Sequence, residues 1–238
     1  MSDLQEMEER SVLRWGGLAG ILGSALLILV FGIVTVFVGT DPVGPEESVM
    51  SFPDIRAART VENVLYRVVL VLWVIHFLAL YRALRGRLAP ALFGSALGIV
   101  GLVVLAAGAL PHVATAPISD LYHAPGASIQ DQATLVLMWQ ATQGMLDALL
   151  LAGLFILPMG LVALGVAMLG TPAFGRGLGR ASVALGAVGV TAATTSVVLL
   201  DDVSGVAVVG ALIAFHLLLG WKAHRLSMAP RSTSLTAR

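Results

Sequence analysis

The stretch at residues 131–169, DQATLVLMWQATQGMLDALLLAGLFILPMGLVALGVAML, determines the fold that we expect for this chain. Most of it is apolar, and a single α-helix of this length would extend about 58 Å at the usual rise per residue. The hydrocarbon core of a membrane is only about 30 Å thick. We therefore expect residues 143–169 to lie in the membrane and residues 131–142 to extend outward, with Trp139 as an interfacial anchor.

The composition of the whole chain is typical of an integral membrane protein. Hydrophobic residues make up 58% of the chain and charged residues 12%, whereas soluble domains carry about 25% charged residues. The formal net charge is zero, so no basic excess indicates a nucleic-acid partner. The chain has no cysteine, which excludes disulfides, thiolate metal sites and cysteine nucleophiles.

Apolar segments separated by polar turns predict an all-α, polytopic membrane helical bundle with six transmembrane helices. We expect the spans at about residues 12–39, 63–84, 91–110, 143–169, 181–200 and 205–221. The fourth helix is long, and Pro158 should kink it because proline lacks the N–H that bonds one turn back. The stretches 41–62 and 112–130 are interpreted as loops, with Pro111 closing the third span.

The chain then divides into three parts. Residues 1–11 form a cytoplasmic N-terminal segment, residues 12–222 the six-span membrane domain, and residues 223–238 a disordered cytoplasmic tail.

The positive charges predict the orientation in the membrane. Arg56 and Arg59 fall on the side opposite to the termini, and Arg67 lies inside the second span. All other cations fall on the side of the termini: Arg10, Arg14, Arg82, Arg85, Arg87, Arg176, Arg180, Lys222, Arg225, Arg231 and Arg238. By the positive-inside rule both termini are cytoplasmic, and we expect a multi-pass protein of the plasma membrane.

Glycines mark where membrane helices can approach each other closely. They recur near the starts of the first, third and fifth spans, at Gly16, Gly20, Gly23, Gly94, Gly98, Gly101, Gly186 and Gly189. These faces predict close packing within the bundle, or a homo-oligomer that forms through them.

Short motifs lie where the spans begin, end or turn. They are Arg14-Trp15-Gly16-Gly17, Leu80-Tyr81-Arg82-Ala83-Leu84, Leu92-Phe93-Gly94 and Leu157-Pro158-Met159-Gly160-Leu161. The pattern resembles small bacterial six-span membrane proteins that are known as a domain of unknown function. The resemblance implies the fold and a membrane location, and it carries no catalytic residues.

Polar residues in the fourth helix form the main candidate site. At roughly 100° per residue, Gln140, Gln143 and Asp147 share one helix face. A carboxylate in a membrane helix needs a partner or a water-filled cavity. Arg67 is expected at the same depth as Asp147, and a pair between them would line a ligand or proton pathway. The alternatives are a structural clamp, or two interfacial groups that do not meet.

A second polar face follows the second span and comprises Glu62, Tyr66, Trp73 and His76. His76 falls near the middle of the membrane, where an imidazole can carry protons. It can equally donate a hydrogen bond between helices, which is the more common role there. His216 in the sixth span has the same two interpretations.

The stretch 112–130 contains residue types that bind divalent metals, at His112, Asp120 and His123. Their spacing matches no metal signature, so we predict no metal and no cofactor and keep the three as weak candidates. Together with Ser119 they also include the residue types of a nucleophilic triad, which is recognised by its geometry.

These features predict a non-enzymatic integral membrane protein with a polar, outward-facing cavity around Asp147, Gln143, Gln140 and Arg67. The cavity would bind a small molecule, a lipid or a partner protein. Two alternatives remain open. A small proton-coupled transporter would use His76, Asp147 and a helix broken at Pro158. An intramembrane enzyme would use the outer histidines and aspartates.

Overall fold

The computed structural model describes residues 3–39, 44–199 and 202–229. Within them the chain forms six α-helices and no strand: α1 (Asp3–Ile33), α2 (Pro45–Ala83), α3 (Leu88–Tyr122), α4 (Ile129–Leu169), α5 (Gly175–Leu199) and α6 (Asp202–Met228). A π-helical turn (Val34–Val38) follows α1, and a 3₁₀ turn (Arg85–Arg87) precedes α3. The predicted all-helical bundle is confirmed.

Five of the described helices are long and apolar enough to cross a membrane, namely α1, α2, α3, α4 and α6. They give the fold the character of a membrane helical bundle. α5 is not among these five, so the sixth span stays a prediction.

The helices form a closed ring. Each helix packs against the next one in the chain, and α6 packs against α1. Contacts across the ring join α2, α4 and α6. Large buried side chains fill the interior of the ring, among them Trp73, Phe77, Leu157, Leu161 and Phe215.

Glycine lets the helix backbones touch each other, as the sequence predicts. A methyl group built on Gly160 of α4 would lie 2.7 Å from the Gly94 carbonyl oxygen of α3. One built on Gly17 of α1 would lie 2.7 Å from the Gly220 carbonyl oxygen of α6. The predicted packing glycines all face a neighbouring helix at such short range: Gly16, Gly20, Gly23, Gly94, Gly98, Gly101, Gly186 and Gly189.

Several helices are longer than predicted, which corrects both loops. α2 begins at Pro45, so most of the stretch 41–62 is helical. α3 continues through Pro111 to Tyr122, which leaves a short turn at 123–128 before α4. α1 includes most of the N-terminal segment, and α6 continues to Met228, into the predicted tail. The rest of that tail, 230–238, lies outside the described residues.

The added lengths of α2, α3 and α4 form a second small core, which we call the distal cap (residues 45–59, 111–122 and 129–142). Its buried side chains are Val49, Phe52, Ile118, Tyr122, Leu135 and Trp139. Phe52 and Trp139 meet edge to face, with ring centroids 5.3 Å apart. The predicted extension of the fourth helix is therefore confirmed, and two other helices accompany it.

Pro53 shows how α2 can continue through a proline. Because proline has no N–H, the Val49 carbonyl one turn back lacks its usual donor. The Ser119 hydroxyl of α3 donates to this oxygen instead, at 3.2 Å.

Next to Ser119, Asp120 accepts two hydrogen bonds from Arg56 of α2, at 2.6 and 2.9 Å. These bonds hold the pKa of the Asp120 carboxyl below its usual value.

The start of α4 is set by a capping box. The Asp131 N–H donates to the Ser128 hydroxyl at 3.1 Å, and the Ser128 N–H donates to the Asp131 carboxylate at 3.1 Å. The hydrogen bonds from Ser128 lower the pKa of the Asp131 carboxyl. Two otherwise unpaired backbone groups are satisfied in this way, which is why the helix begins here.

A pair of glycine substitutions on α4 tests the packing. Gly160→Ala should destabilise the protein by about 1–3 kcal/mol, because its methyl group would collide with the backbone of α3. In Gly144→Ala the new methyl group meets nothing within 4 Å, so stability should stay the same or rise by up to about 1 kcal/mol. Thermal unfolding in detergent measures both variants. Equal effects would contradict the backbone contact.

Candidate functional site: the distal mouth of the ring

The polar face of α4 is exposed where the sequence places it. Gln140 and Asp147 are exposed, and Gln143 is half-buried. Helix periodicity continues their stripe inward to Pro158. There the stripe is covered by α5, because a methyl group on Gly189 would lie 2.8 Å from the Pro158 side chain.

α5 ends before it reaches the polar residues. α4 and α5 are antiparallel, and Leu199 lies ten residues beyond Gly189. Ala148 lies ten residues before Pro158 in α4. Because Gly189 lies beside Pro158, Leu199 at the described end of α5 is level with Ala148. The α4 face from Asp147 toward the start of the helix therefore lies beyond the described part of α5.

α2 carries charged residues at the same level of the ring as Asp147. α2 and α4 run in the same direction, and the contact between Phe52 and Trp139 fixes their relative level. Thr60 lies eight residues after Phe52, and Asp147 lies eight residues after Trp139. Thr60 and Asp147 are therefore at about the same level. Arg59 and Glu62, on either side of Thr60, form an ion pair of 3.0 Å with 17% and 19% of their side chains exposed. A shielded charge pair therefore lies level with the polar face of α4.

His112 of α3 reaches the same level. One turn before His112 in α3, a methyl group on Gly108 would lie 3.3 Å from Leu149 and 3.8 Å from Leu146 of the antiparallel α4, so His112, one turn nearer the distal cap, is level with about Gln143. Arg59, His112 and Asp147 each have an interaction partner in the structure. We use the name distal mouth for this end of the ring, where Arg59, Glu62, His112, Gln143 and Asp147 lie at similar levels.

Gln143 carries the unusual feature of the distal mouth. Its Oε1 is buried and accepts no hydrogen bond within the described part of the chain. A buried acceptor without a donor costs about 1–3 kcal/mol, and such atoms in native proteins need an explanation. A donor from a bound molecule would gain a hydrogen bond at this position.

Arg67 does not belong to this site, which corrects the predicted pair with Asp147. It lies on an exposed stripe of α2 that is directed away from the ring, with Val64, Val68, Val71, Ile75 and Leu78. It is also seven residues deeper than Thr60, which corresponds to about 10 Å along a helix. Arg59 is the arginine that lies level with Asp147.

Arg59 was not predicted as a residue of the distal mouth, because the stretch 41–62 was interpreted as a loop. The signal was present in the spacing, since Arg59, Glu62 and Tyr66 are three and four residues apart and so share a helix face. Tyr66 and Trp73 continue that face into the interior of the ring, as the sequence predicts.

His76 and His216 are buried together between α1, α2 and α6. Their ring centroids are 5.1 Å apart, and Trp73 stacks on His216 at 4.0 Å. His76 Nδ1 lies 2.8 Å from the Gly16 carbonyl oxygen; because a carbonyl only accepts, Nδ1 donates the proton. The geometry supports the interpretation of His76 as a hydrogen-bond donor between helices. Neither ring nitrogen of His216 has a hydrogen-bond partner among the described residues.

The weak metal candidates do not converge. Asp120 is eight residues beyond His112 on α3, about 12 Å along the helix, and it pairs with Arg56. His123 Nδ1 donates to the Ser119 carbonyl oxygen at 2.8 Å. Within residues 3–39, 44–199 and 202–229, no group of three or more histidines and carboxylates is placed to hold a metal ion.

Ser119 and His123 are close to each other without forming a catalytic pair. The Ser119 Oγ is 3.5 Å from His123 Nδ1. The hydroxyl donates to the Val49 carbonyl, and Nδ1 carries a proton that it donates to the Ser119 carbonyl. A general base needs a free lone pair directed at the nucleophile, so this pair is structural.

Comparison with models of known protein families, with curated proteins and with solved structures finds no match to this chain. The resemblance to small six-span bacterial membrane proteins stays a prediction.

Two substitutions distinguish the histidines. His216→Phe should leave stability unchanged or raise it, because it removes two buried nitrogens without partners and keeps the ring against Trp73. His76→Phe should lower stability by roughly 1 kcal/mol, because it removes the hydrogen bond to Gly16. Thermal unfolding in detergent measures both. A larger loss for His216→Phe would contradict this assignment and indicate a group bound at His216.

Proposed function

We propose that the protein is a non-enzymatic membrane protein whose distal mouth binds a small polar molecule. The observation that carries the proposal is the buried, unpartnered Oε1 of Gln143, about one helix turn from the level of the shielded Arg59–Glu62 pair. The ligand chemistry follows from these groups. It requires a hydrogen-bond donor for Gln143 together with an anionic group for Arg59 or a cationic group for Glu62; an amino acid supplies both charges, and a short polyamine supplies the cationic one.

Binding is favoured over transport because the ring interior below the mouth is filled. Leu157, Leu161 and Phe215 are fully buried there, with Trp73 almost so. Ionisable residues on the path of a transported ion are expected to line a continuous polar route. Proton-coupled transport is the second candidate, and the observation in its favour is the close approach of His76 and His216 in the same interior.

We further propose that α5 is the sixth span and that the distal mouth faces the outside of a bacterial cell. Glycines of α5 pack along α4 at Pro158, Val162 and Gly165, as the membrane part of a bundle requires. At the opposite end of the ring, Arg82 and Arg85 pair with Glu8 and Glu9. The accumulation of arginine at that end supports a cytoplasmic location for both termini.

Cysteine labelling in intact cells tests this orientation. Gln130→Cys, in the first turn of α4, should react with a membrane-impermeant maleimide. Met228→Cys, at the end of α6, should react only after the cells are permeabilised. Both positions are exposed, so burial does not limit the reaction. The reverse pattern would overturn the orientation.

A thermal-shift screen tests the binding function. The purified protein is heated with each of the common amino acids, putrescine and spermidine, and at least one compound should raise the unfolding temperature by several degrees, since binding to the folded state stabilises it. Gln143→Leu should abolish that shift. Gln130→Leu, on the same helix but outside the mouth, should keep it. A screen without any shift, or an equal shift in Gln143→Leu, would argue against a site at the distal mouth.

A further inference from the structure

A separate groove lies in the distal cap, on the same face of α4 as the distal mouth. Its volume is about 360 Å³, in the lower range of small-molecule sites. Its lining includes Glu46, Tyr122, Ile129, Gln132, Val136 and Leu137. α2, α3 and α4 therefore each contribute to it.

The apolar wall of the groove lies beyond the expected membrane. Ile129 and Leu137 are 87% and 65% exposed. They precede Ala148, the residue level with the end of α5, by nineteen and eleven residues, or about 28 and 16 Å. With α5 as the sixth span, as proposed above, lipid tails do not cover side chains at that distance, and the exposure indicates a binding surface.

The polar groups of the groove favour one kind of ligand head. Glu46 is the charged residue in the lining, and it is an acceptor only. The Gln132 amide nitrogen donates to the Tyr122 carbonyl oxygen at 3.2 Å, which leaves the amide oxygen as an acceptor. A cationic donor complements both groups, whereas a carboxylate would face Glu46.

We propose that this groove binds a short amphiphilic amine, with its alkyl chain against Ile129, Val136 and Leu137 and its ammonium group at Glu46. The site goes beyond the proposed function, because none of the residues that carry it lines the distal mouth. The underlying core is fixed by the contact between Phe52 and Trp139, so the groove is already formed before a ligand enters.

Photolabelling in nanodiscs tests the proposal. Three probes are compared that share one diazirine-bearing six-carbon chain and end in an amine, an alcohol or a carboxylate. The amine should label residues 129–137 at least about tenfold more than the other two, which corresponds to about 1.4 kcal/mol. Excess hexylamine should remove this labelling in the unmodified protein.

Matched variants identify the contribution of Glu46. Glu46→Gln should reduce amine labelling to the level of the alcohol. Glu47→Gln, the neighbouring residue that does not line the groove, should leave it unchanged. The proposal is overturned if the three probes label residues 129–137 equally, if labelling spreads over the lipid-facing helices without an excess there, or if Glu46→Gln and Glu47→Gln behave alike. If Glu46→Gln fails to fold, competition in the unmodified protein replaces it as the test. Labelling of residues 129–137 that excess hexylamine does not reduce would then overturn the proposal.

Discussion

Close contact between helix backbones is the constraint on which the rest of this structure depends. Apolar side chains gain little by leaving lipid tails for another helix, so association relies on packing and on hydrogen bonds between helices. Gly160 against Gly94 joins α3 and α4 at backbone distance, and Gly17 against Gly220 closes the ring between α1 and α6. Because these glycines lie on one face of each helix, they fix its rotation as well as its distance. The rotation in turn decides which polar residues face the ring and which face lipid.

Unequal helix lengths create the distal mouth. α2, α3 and α4 continue together into the distal cap, where Phe52, Tyr122 and Trp139 hold them in a core of their own. α5 ends level with Ala148, so the stripe of α4 that Gly189 covers at Pro158 is uncovered further out. Gln140, Gln143 and Asp147 lie on the part of α4 beyond the described end of α5. The position of the site is therefore a consequence of where one helix stops beside a longer one.

The sequence predicts those features that depend on local pattern. Apolar runs gave the helices, and helix periodicity correctly placed Gln140, Gln143 and Asp147 on one face, because both properties follow from neighbouring residues. The extents of α2 and α3 were wrong, since the polar stretch 41–62 was interpreted as a loop and Pro111 as the end of a span. What lets α2 continue is a donor from another helix, the Ser119 hydroxyl at the Val49 carbonyl. No local pattern contains that contact. The match in depth between Arg67 and Asp147 depended on the same interpretation, because depth was counted from a loop that is helical.

Arg59 and Arg67 of α2 show how position determines the role of a charge. Arg67 lies on the outer stripe, where a long side chain can extend along apolar neighbours and reach the polar interface. Arg59 is shielded and paired with Glu62. Such a shielded pair contributes little net stability, because desolvation offsets the attraction, although removing one partner alone leaves a costly charge. The bundle already closes through glycine contacts, so the pair is not required to hold it together. The Arg59–Glu62 pair and the unpartnered Gln143 oxygen therefore contribute little to holding the bundle together, and this is the physical basis of the binding site that we propose.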